Sequence, residues 1–167
     1  MEIPVRVFDC PNHDKIKAPL LEMIDAVQSG SVANRAAKLT ATDWESPKDT
    51  PREYWDFFYN GVRPVLDQVM RADFHDPHWR LDNYWFQQYN AGDWHYWHRH
   101  PATVWNCVYY LELPEGVPGT IFVDHETNQP QETGVKEGQI IVFPSQALHC
   151  SPEFEEGRKT VIAWNLI

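Results

Sequence analysis

The segment Gly92-Asp93-Trp94-His95-Tyr96-Trp97-His98-Arg99-His100-Pro101 gathers three of the eight histidines and two of the eight tryptophans of the chain. Within this segment His98 and His100 are two residues apart, and on a β-strand that spacing points both rings to the same face of the sheet. Two imidazoles on one face can chelate a metal ion. The segment therefore predicts part of a metal site.

A third histidine, His149, lies far downstream, where the apolar run ending at Phe143 gives way to a turn and a second strand. Antiparallel folding can bring it beside His98 and His100, and three protein ligands that leave further positions open are typical of a catalytic metal. The alternative is a structural role. A partly buried histidine often only hydrogen-bonds a backbone carbonyl, and the aromatic neighbours could belong to the core.

The second half of the chain follows a β pattern, with short apolar runs bounded by Gly and Pro. Several short antiparallel strands joined by regular turn signals are typical of a sandwich or jelly roll. The predicted strands are Leu81–Tyr89, Thr103–Leu113, Thr120–Val123, Gln139–Phe143, Ala147–Ser151 and Lys159–Asn165. Residues 78–167 are thus expected to form the core of the fold.

The first half is predicted to be mainly helical. After a short strand over Ile3–Phe8, Asp14 can cap a helix that Gly30 ends. The sequence Thr50-Pro51-Arg52-Glu53 combines a capping box with proline at the first helical position, so it predicts the start of a second helix, which Pro64 should kink or split. The apolar positions of the first helix recur at helical spacing and are Ile16, Leu20, Ile24 and Val27.

Between these helices, Ser31–Lys48 is small and polar, which predicts a long loop. Long loops in compact domains are often functional. With helices packed outside one sheet, the pattern predicts one α+β, mainly β domain over residues 1–167, whose helical part is 1–77.

Composition and charge narrow the choice of partners. The chain is 43% hydrophobic and 23% charged, as in ordinary globular domains, and its formal net charge is −10 without any basic cluster. Phosphate backbones would be repelled, so we expect no nucleic acid among the partners. The acidic side chains expected near the rim of the site are Glu112, Glu115, Asp124, Glu126, Glu132 and Glu137, against a single Lys136.

The chain has three cysteines, an odd number without CxxC spacing, which argues against a disulfide framework and a zinc ribbon. No stretch approaches the ~18 apolar residues of a membrane span, and no signal-peptide pattern opens the sequence. We therefore expect a cytoplasmic protein without a membrane partner. The sequence leaves a homodimer open.

Arg158 and Thr160 are also two residues apart on a predicted strand. A guanidinium and a hydroxyl on one face suit a carboxylate. The alternative for Arg158 is a surface ion pair with Glu155 or Glu156 across the turn.

From about Tyr84 to its end the sequence resembles the Fe(II)/2-oxoglutarate-dependent oxygenases, and more narrowly a small group of oxygenase-like proteins of marine bacteria and phages. The matching motifs are Gly92-Asp93, His98-Arg99-His100-Pro101, Val108-Tyr109-Tyr110-Leu111, Gly138 through Phe143-Pro144-Ser145, Leu148-His149, and Arg158-Lys159-Thr160 with Asn165. The resemblance implies a double-stranded β-helix (jelly roll) that binds Fe(II) and 2-oxoglutarate. It also implies that His98 and His149 bind the metal and that Arg158 and Thr160 hold the cosubstrate.

One position departs from the family pattern, because His100 stands where the family has its carboxylate ligand. The variant His98-Arg99-His100-Pro101 resembles the pattern of the narrower marine group. This resemblance implies a metal bound by His98, His100 and His149. Two alternatives remain: a three-histidine cupin-type dioxygenase that works without 2-oxoglutarate, and a jelly-roll module that only binds a ligand. In the first of these, Arg158 would bind a carboxylate of the substrate.

The resemblance implies a dioxygenase that hydroxylates a small molecule or a peptide. Asn106 and Tyr110 lie at even positions of the strand after the histidine pair, on the face expected to line the cavity, and could hydrogen-bond the cosubstrate. A one-residue register slip would put Tyr109 there instead. The residues that could form a lid or entrance are Trp94, Tyr96, Trp97, Trp105 and those of Ser31–Lys48.

Overall fold

A computed structural model describes residues 3–124 and 126–167. The described part contains two helices and eleven strands. In chain order they are β1 (Arg6–Asp9), α1 (His13–Asp25), β2 (Gly30–Ala33), β3 (Ala37–Thr42), α2 (Glu53–Asp73), β4 (Leu81–Asn90), β5 (Trp94–His98), β6 (Trp105–Glu112), β7 (Ile121–Val123), β8 (Pro130–Glu132), β9 (Gln139–Pro144), β10 (His149–Ser151) and β11 (Arg158–Leu166).

All the strand pairs are antiparallel and belong to one curled sheet. Its order is β1-β9-β6-β11-β4-β3-β5-β10-β7-β8, and β2 pairs only with β3. The two helices pack on one face of this sheet, where their apolar side chains meet those of the central strands in one core. A second core fills the inside of the curl. These two layers confirm the predicted α+β, mainly β jelly-roll architecture.

The helices differ in their limits from the sequence prediction. The first helix ends at Asp25, before Gly30, and the second begins at Glu53, with Arg52 in the capping position and no side-chain cap from Thr50. Pro64 lies inside α2, which continues to Asp73. Tertiary packing explains the uninterrupted helix: Pro64 faces solvent, whereas the opposite stripe of α2 is buried in the core.

The prediction of a long loop over Ser31–Lys48 is wrong, because β2 and β3 form a hairpin there. The hairpin enters the sheet, since β3 pairs with β4 and with β5. Its turn is closed by the Asn34 Oδ1, which accepts hydrogen bonds from the N–H groups of Ala36 and Ala37. Small residues conceal a period-two pattern in which Ala37 and Leu39 are buried on one face. This segment therefore closes the curl instead of forming a loop over it.

A buried ion pair joins the hairpin to the start of α2. The Arg52 Nε donates to the Asp43 Oδ2 at 2.6 Å, and the Tyr54 hydroxyl donates to the same oxygen at 2.8 Å. The other oxygen of Asp43 accepts the backbone N–H of Phe86 on β4 at 2.9 Å. Because its partners lie at the start of α2 and on β4, this carboxylate fixes α2 against the sheet. Neither described helix is long and apolar enough to cross a membrane.

Candidate metal centre

Three histidines from two distant parts of the chain meet inside the curl of the sheet. Each of His98, His100 and His149 offers one ring nitrogen, and these atoms all lie within 4.8 Å of one another. The structure thus brings together the three side chains that the sequence spacing singled out. Their arrangement is one that a divalent metal with open coordination positions can use.

The pairing of β5 with β10 explains how His98 and His149 meet. The two residues are register partners at the end of β5. Contrary to the prediction, His98 and His100 do not share a strand, because β5 ends at His98. His100 lies just beyond it and is held by its backbone N–H, which donates to the Ser145 carbonyl at 3.0 Å. The loop therefore turns the third ring toward the other two.

Hydrogen bonds to the backbone orient two of these rings. The His98 Nδ1 donates to the Tyr96 carbonyl at 2.6 Å, and the His149 Nδ1 donates to the Ala147 carbonyl at 2.8 Å. Both rings therefore carry their proton on Nδ1, and each Nε2 is unprotonated and can offer its lone pair to a metal. Burial lowers the pKa of His100 to about 4, and it also holds the pKa values of His98 and His149 below the usual range. Neutral imidazole is the form that binds a metal.

A fourth histidine, His95, lies against this cluster and was not predicted as a site residue. Its ring stacks on that of His98 with centroids 3.9 Å apart and planes 12° from parallel. Residues three apart on a regular strand face opposite sides, but a bulge between the partners His149 and Ser151 brings His95 and His98 to the same side. Burial lowers the pKa of His95 to about 3. The bulge is set by strand pairing, so no local sequence signal marks it.

The histidines line a cavity inside the sheet. Its walls come from β4, β6, β9, β10 and β11 and include aromatic, amide and hydroxyl side chains. None of the described residues that line it is Asp or Glu, although the whole chain carries a net charge of −10. The single Lys or Arg among them is Lys159.

Lys159 is the second site residue that the sequence analysis missed. Its side chain is 2% exposed and its Nζ donates to the Ser151 hydroxyl at 2.7 Å and to the Pro118 carbonyl at 3.1 Å. The Nζ also lies 4.8 Å from the centre of the Tyr89 ring. Within the described chain no carboxylate pairs with it, and burial lowers its pKa to about 7. An unpaired buried cation is costly, so this position suits an anionic ligand.

Arg158 and Thr160 do not reach the cavity, which corrects the sequence prediction. The guanidinium forms a two-pronged pair with Glu112, with Nε and Nη2 donating at 2.8 and 3.1 Å, and it also lies 3.4 Å from Asp25 of α1. The Thr160 hydroxyl donates to the same Glu112 at 2.5 Å. The two residues share one face of β11, as predicted, but it is the face toward the helices. Because side chains alternate between the two faces of a strand, the neighbouring Lys159 faces the cavity.

Asn106 and Tyr110 do line the cavity. The Tyr110 hydroxyl lies 2.7 Å from that of Thr120 and accepts the Thr120 backbone N–H at 3.0 Å. The Asn106 Oδ1 accepts a hydrogen bond from Ser145 at 3.0 Å. Tyr109, the alternative after a register slip, instead stacks on Phe58 of α2 with ring centroids 4.8 Å apart. The predicted register of β6 is therefore right.

The aromatic residues considered for an entrance separate into two groups. Trp105 lies on the helix side, where its indole N–H donates to Asp76 at 3.0 Å and its ring contacts Phe74. Trp94 and Tyr96 of β5 contact each other edge to face, and Tyr96 is among the most exposed aromatic residues. Only the second group lies on the histidine strand.

Unsatisfied polar atoms concentrate around the cavity. Five buried side-chain atoms have no hydrogen-bond partner among the described residues, and three of them belong to side chains that face it: Trp85, Asn106 and Asn165. Buried polar groups in native proteins almost always have partners. Together with three neutral imidazoles and an unpaired lysine, these atoms indicate a site that fits a divalent metal and an oxygen-rich ligand.

No protein-family model and no curated protein matches this chain. Among solved structures, a prolyl-4-hydroxylase of Pseudomonas putida superimposes with a TM-score of 0.70 at 15% identity, covering 98% of this chain and 92% of that one. HygX of Streptomyces hygroscopicus, with nickel, 2-oxoglutarate and hygromycin B bound, gives 0.69 at 10% identity, with coverage of 98% and 82%.

A third similar structure is a prolyl hydroxylase of Trichoplax adhaerens in complex with a peptide fragment of hypoxia inducible factor. It gives a TM-score of 0.68 at 11% identity and covers 97% of this chain and 83% of that one. At such identities the likeness concerns the fold. This chain folds as the double-stranded β-helix in which Fe(II)/2-oxoglutarate oxygenases are built.

Proposed function

We propose that this protein is an Fe(II)- and 2-oxoglutarate-dependent dioxygenase that hydroxylates a small-molecule or peptide substrate. The observation that carries the proposal is the presence, in one cavity, of a three-histidine cluster and of an unpaired buried lysine. The first suits a metal, and the second suits a carboxylate of the cosubstrate. The fold and the ligands bound in similar structures support the same reading.

In this proposal His98, His100 and His149 hold Fe(II) through their unprotonated nitrogens. The backbone carbonyls of Tyr96 and Ala147 keep two of these rings in the required tautomer. Three protein ligands would leave coordination positions open, as a catalytic metal requires. Fe(II), when bound, couples the oxidation of 2-oxoglutarate to succinate and CO₂ with the hydroxylation of a substrate C–H bond.

Lys159 replaces Arg158 as the residue that we expect to bind the distal carboxylate. Its ammonium group, the Ser151 hydroxyl and the Tyr110 hydroxyl converge on one end of the cavity, where Thr120 orients Tyr110. A charge-assisted hydrogen bond at a buried site is worth more than an exposed ion pair. The aromatic walls around this end exclude water and strengthen the interaction.

The substrate class rests on analogy. Of the similar structures, one holds hygromycin B and another a peptide fragment. Both kinds of molecule agree with the expected small-molecule or peptide substrate. The resemblance to the marine and phage group stays a prediction.

The test is oxygen-dependent release of succinate. Protein reconstituted anaerobically with Fe(II) and 2-oxoglutarate is exposed to O₂ alone or with pooled amino acids, peptides and oligonucleotides. We expect slow succinate release without substrate and faster release with an amino acid or peptide pool. Absence of oxygen-dependent succinate in every pool would reject the proposal, and stimulation by oligonucleotides only would reject the substrate class.

One observation favours a second candidate, a three-histidine dioxygenase that uses no cosubstrate. All three candidate ligands are neutral, as in such centres, and Lys159 would then bind a carboxylate of the substrate. Oxygen consumption that needs Fe(II) but not 2-oxoglutarate would select this candidate.

A further inference from the structure

Three side chains with unpartnered polar atoms line the cavity on neighbouring strands. They are the Trp85 Nε1–H on β4, the Asn106 Nδ2 group on β6 and the Asn165 Oδ1 on β11, and none has a hydrogen-bond partner in the described part of the chain. The residues are 8%, 3% and 7% exposed. We name this cluster the amide subsite.

The sheet register places Asn165 beside both Asn106 and Trp85, which lie on the two flanking strands. Strand β11 lies between β6 and β4, Asn165 is the register partner of Asn106, and Trp85 pairs with Ala163, two residues before Asn165. Side chains in such direct and diagonal positions on one face are neighbours. The Ser145 hydroxyl donates to the Asn106 Oδ1 at 3.0 Å, so this amide orientation leaves Nδ2 as the unpaired group.

The amide subsite adjoins the metal centre, away from Lys159. The Trp85 ring lies over that of His100, with centroids 6.2 Å apart and planes 19° from parallel. Lys159 and Asn165 are six residues apart on β11, which corresponds to about 20 Å along the strand. One 2-oxoglutarate molecule bound to Lys159 cannot reach both ends, so a ligand of the amide subsite would be a different molecule.

The chemistry of the amide subsite selects its ligand. Two N–H donors suit the two oxygens of a carboxylate, and the Asn165 oxygen suits an adjacent N–H group. Charge favours an anion over a neutral carbonyl. The two negative charges of bound 2-oxoglutarate would balance the two positive charges of the metal ion. No residue that lines the cavity, His100 included, is an acid, so the charge of Lys159 would leave the cavity positive. The net charge of −10 acts from the outer surface, where salt screens it.

We infer that the amide subsite binds the carboxylate of an amino acid together with its α-nitrogen, either as a free amino acid or as the C-terminal residue of a peptide. The inference rests on the proposed function, because it names the substrate class of the same site. The substrate would thus bind beside His100 with its carboxylate held by Trp85 and Asn106.

Calorimetric titration of the full chain, loaded with Ni²⁺ and 2-oxoglutarate, tests this inference with three probes. Glycine represents a free amino acid, N-acetylglycine a peptide C-terminus, and N-acetylglycinamide is the neutral control. We expect one of the two carboxylates to bind at least about tenfold more tightly than the amide. Which of them binds distinguishes the two sources. Equal binding of all three probes, or no binding of either carboxylate, would overturn the inference.

Variants separate this inference from the proposed function. Asn106→Leu and Trp85→Phe should each weaken the preferred carboxylate about tenfold while Ni²⁺ and 2-oxoglutarate still bind as in the wild type. Loss of 2-oxoglutarate affinity in Asn106→Leu would instead assign this end to the cosubstrate and overturn the inference. His100→Asp should reduce the preference for the carboxylate over the amide. Failure of the wild type to bind Ni²⁺ or 2-oxoglutarate would reject the proposed function and, with it, the inference.

Discussion

Arg158 and Lys159 are neighbours on β11, and their charged groups lie on opposite faces of the curled sheet. The Arg158 guanidinium is paired with Glu112 and approaches Asp25 of α1, whereas the Lys159 ammonium is buried at the cavity and pairs with no carboxylate of the described residues. Two adjacent cations thus have different roles, one in holding the helix layer and one in the site. They provide a matched pair of variants.

Replacing Lys159 by Met should lower the affinity for 2-oxoglutarate by about 10- to 100-fold, because a charge-assisted hydrogen bond to a carboxylate contributes about 1.5–3 kcal/mol. Arg158→Met is the control and should leave this affinity unchanged, at a cost of about 1 kcal/mol in stability from the loss of the partly exposed pair. Calorimetry on Ni²⁺-loaded protein measures the first effect and denaturant unfolding the second. If Arg158→Met lowers the affinity and Lys159→Met does not, Arg158 binds the distal carboxylate of 2-oxoglutarate.

Binding of 2-oxoglutarate should take up a proton near pH 8. The pKa of Lys159 is lowered to about 7, so its amine is mostly neutral at pH 8 in the empty site, while the bound carboxylate needs the ammonium form. The neighbouring Cys150 has a pKa raised to about 11 and stays neutral in this range. Titrations at pH 8 in phosphate and in Tris should give different enthalpies and should agree at pH 6. Lys159→Arg, always charged, should abolish the difference, and identical enthalpies for the wild type would contradict the assignment.

The same lysine should make stability depend on pH. Between pH 7 and 9 the unfolded chain holds the Lys159 proton and the folded chain does not, so the free energy of unfolding contributed by this group rises with pH. The rise should be about 2 kcal/mol over this range. Urea unfolding of the wild type and of Lys159→Met at pH 7 and pH 9 measures this rise. It is the change in the free energy of unfolding with pH that the wild type shows and the variant lacks. The same pH dependence of the free energy of unfolding in both proteins would mean that the pKa of Lys159 is not lowered.

The full chain should bind one Ni²⁺ or Co²⁺ ion, and His98→Ala or His149→Ala should abolish binding at micromolar metal. His95→Ala is the matched control, because His95 stacks on His98 but is outside the group of converging nitrogens, and it should retain the ion. Metal content after dialysis gives the stoichiometry. Unchanged content in His98→Ala or His149→Ala would reject the site, while retention in His100→Ala alone would mean a two-histidine site completed by water.

Asp43→Ala should destabilise the protein by about 3–5 kcal/mol, because it removes one partner of a buried ion pair and leaves Arg52 uncompensated. Asp43 and Arg52 side chains are 1% and 2% exposed. Asp82→Ala breaks an exposed pair with Lys48 and should cost no more than about 1 kcal/mol. Equal unfolding midpoints for the two variants would show that the buried network does not hold α2.

The β-rich half, both helices and the three converging histidines could be predicted from the sequence alone. Period-two and helical patterns are local, and they reveal which residues share a face. These patterns predict that Asn106 and Tyr110 share one side of β6, whereas His98, His100 and His149 converge through the loop after β5 and the pairing of β5 with β10. The hairpin β2–β3 was missed because small residues such as Ala37 carry little hydrophobic signal.

Only the tertiary structure decided which face of β11 meets the site. This strand is buried on both sides, with Val161 toward the cavity and Trp164 toward α2, so no alternation of polar and apolar residues distinguishes its faces. The sequence therefore predicts Arg158 and Thr160 as the carboxylate site, whereas in the structure Arg158 pairs with Glu112 and Lys159 lines the cavity. In the same way the bulge that turns His95 to the cavity depends on pairing with β10. Spacing along a chain determines which side chains lie together, but the partner strands decide what those side chains face.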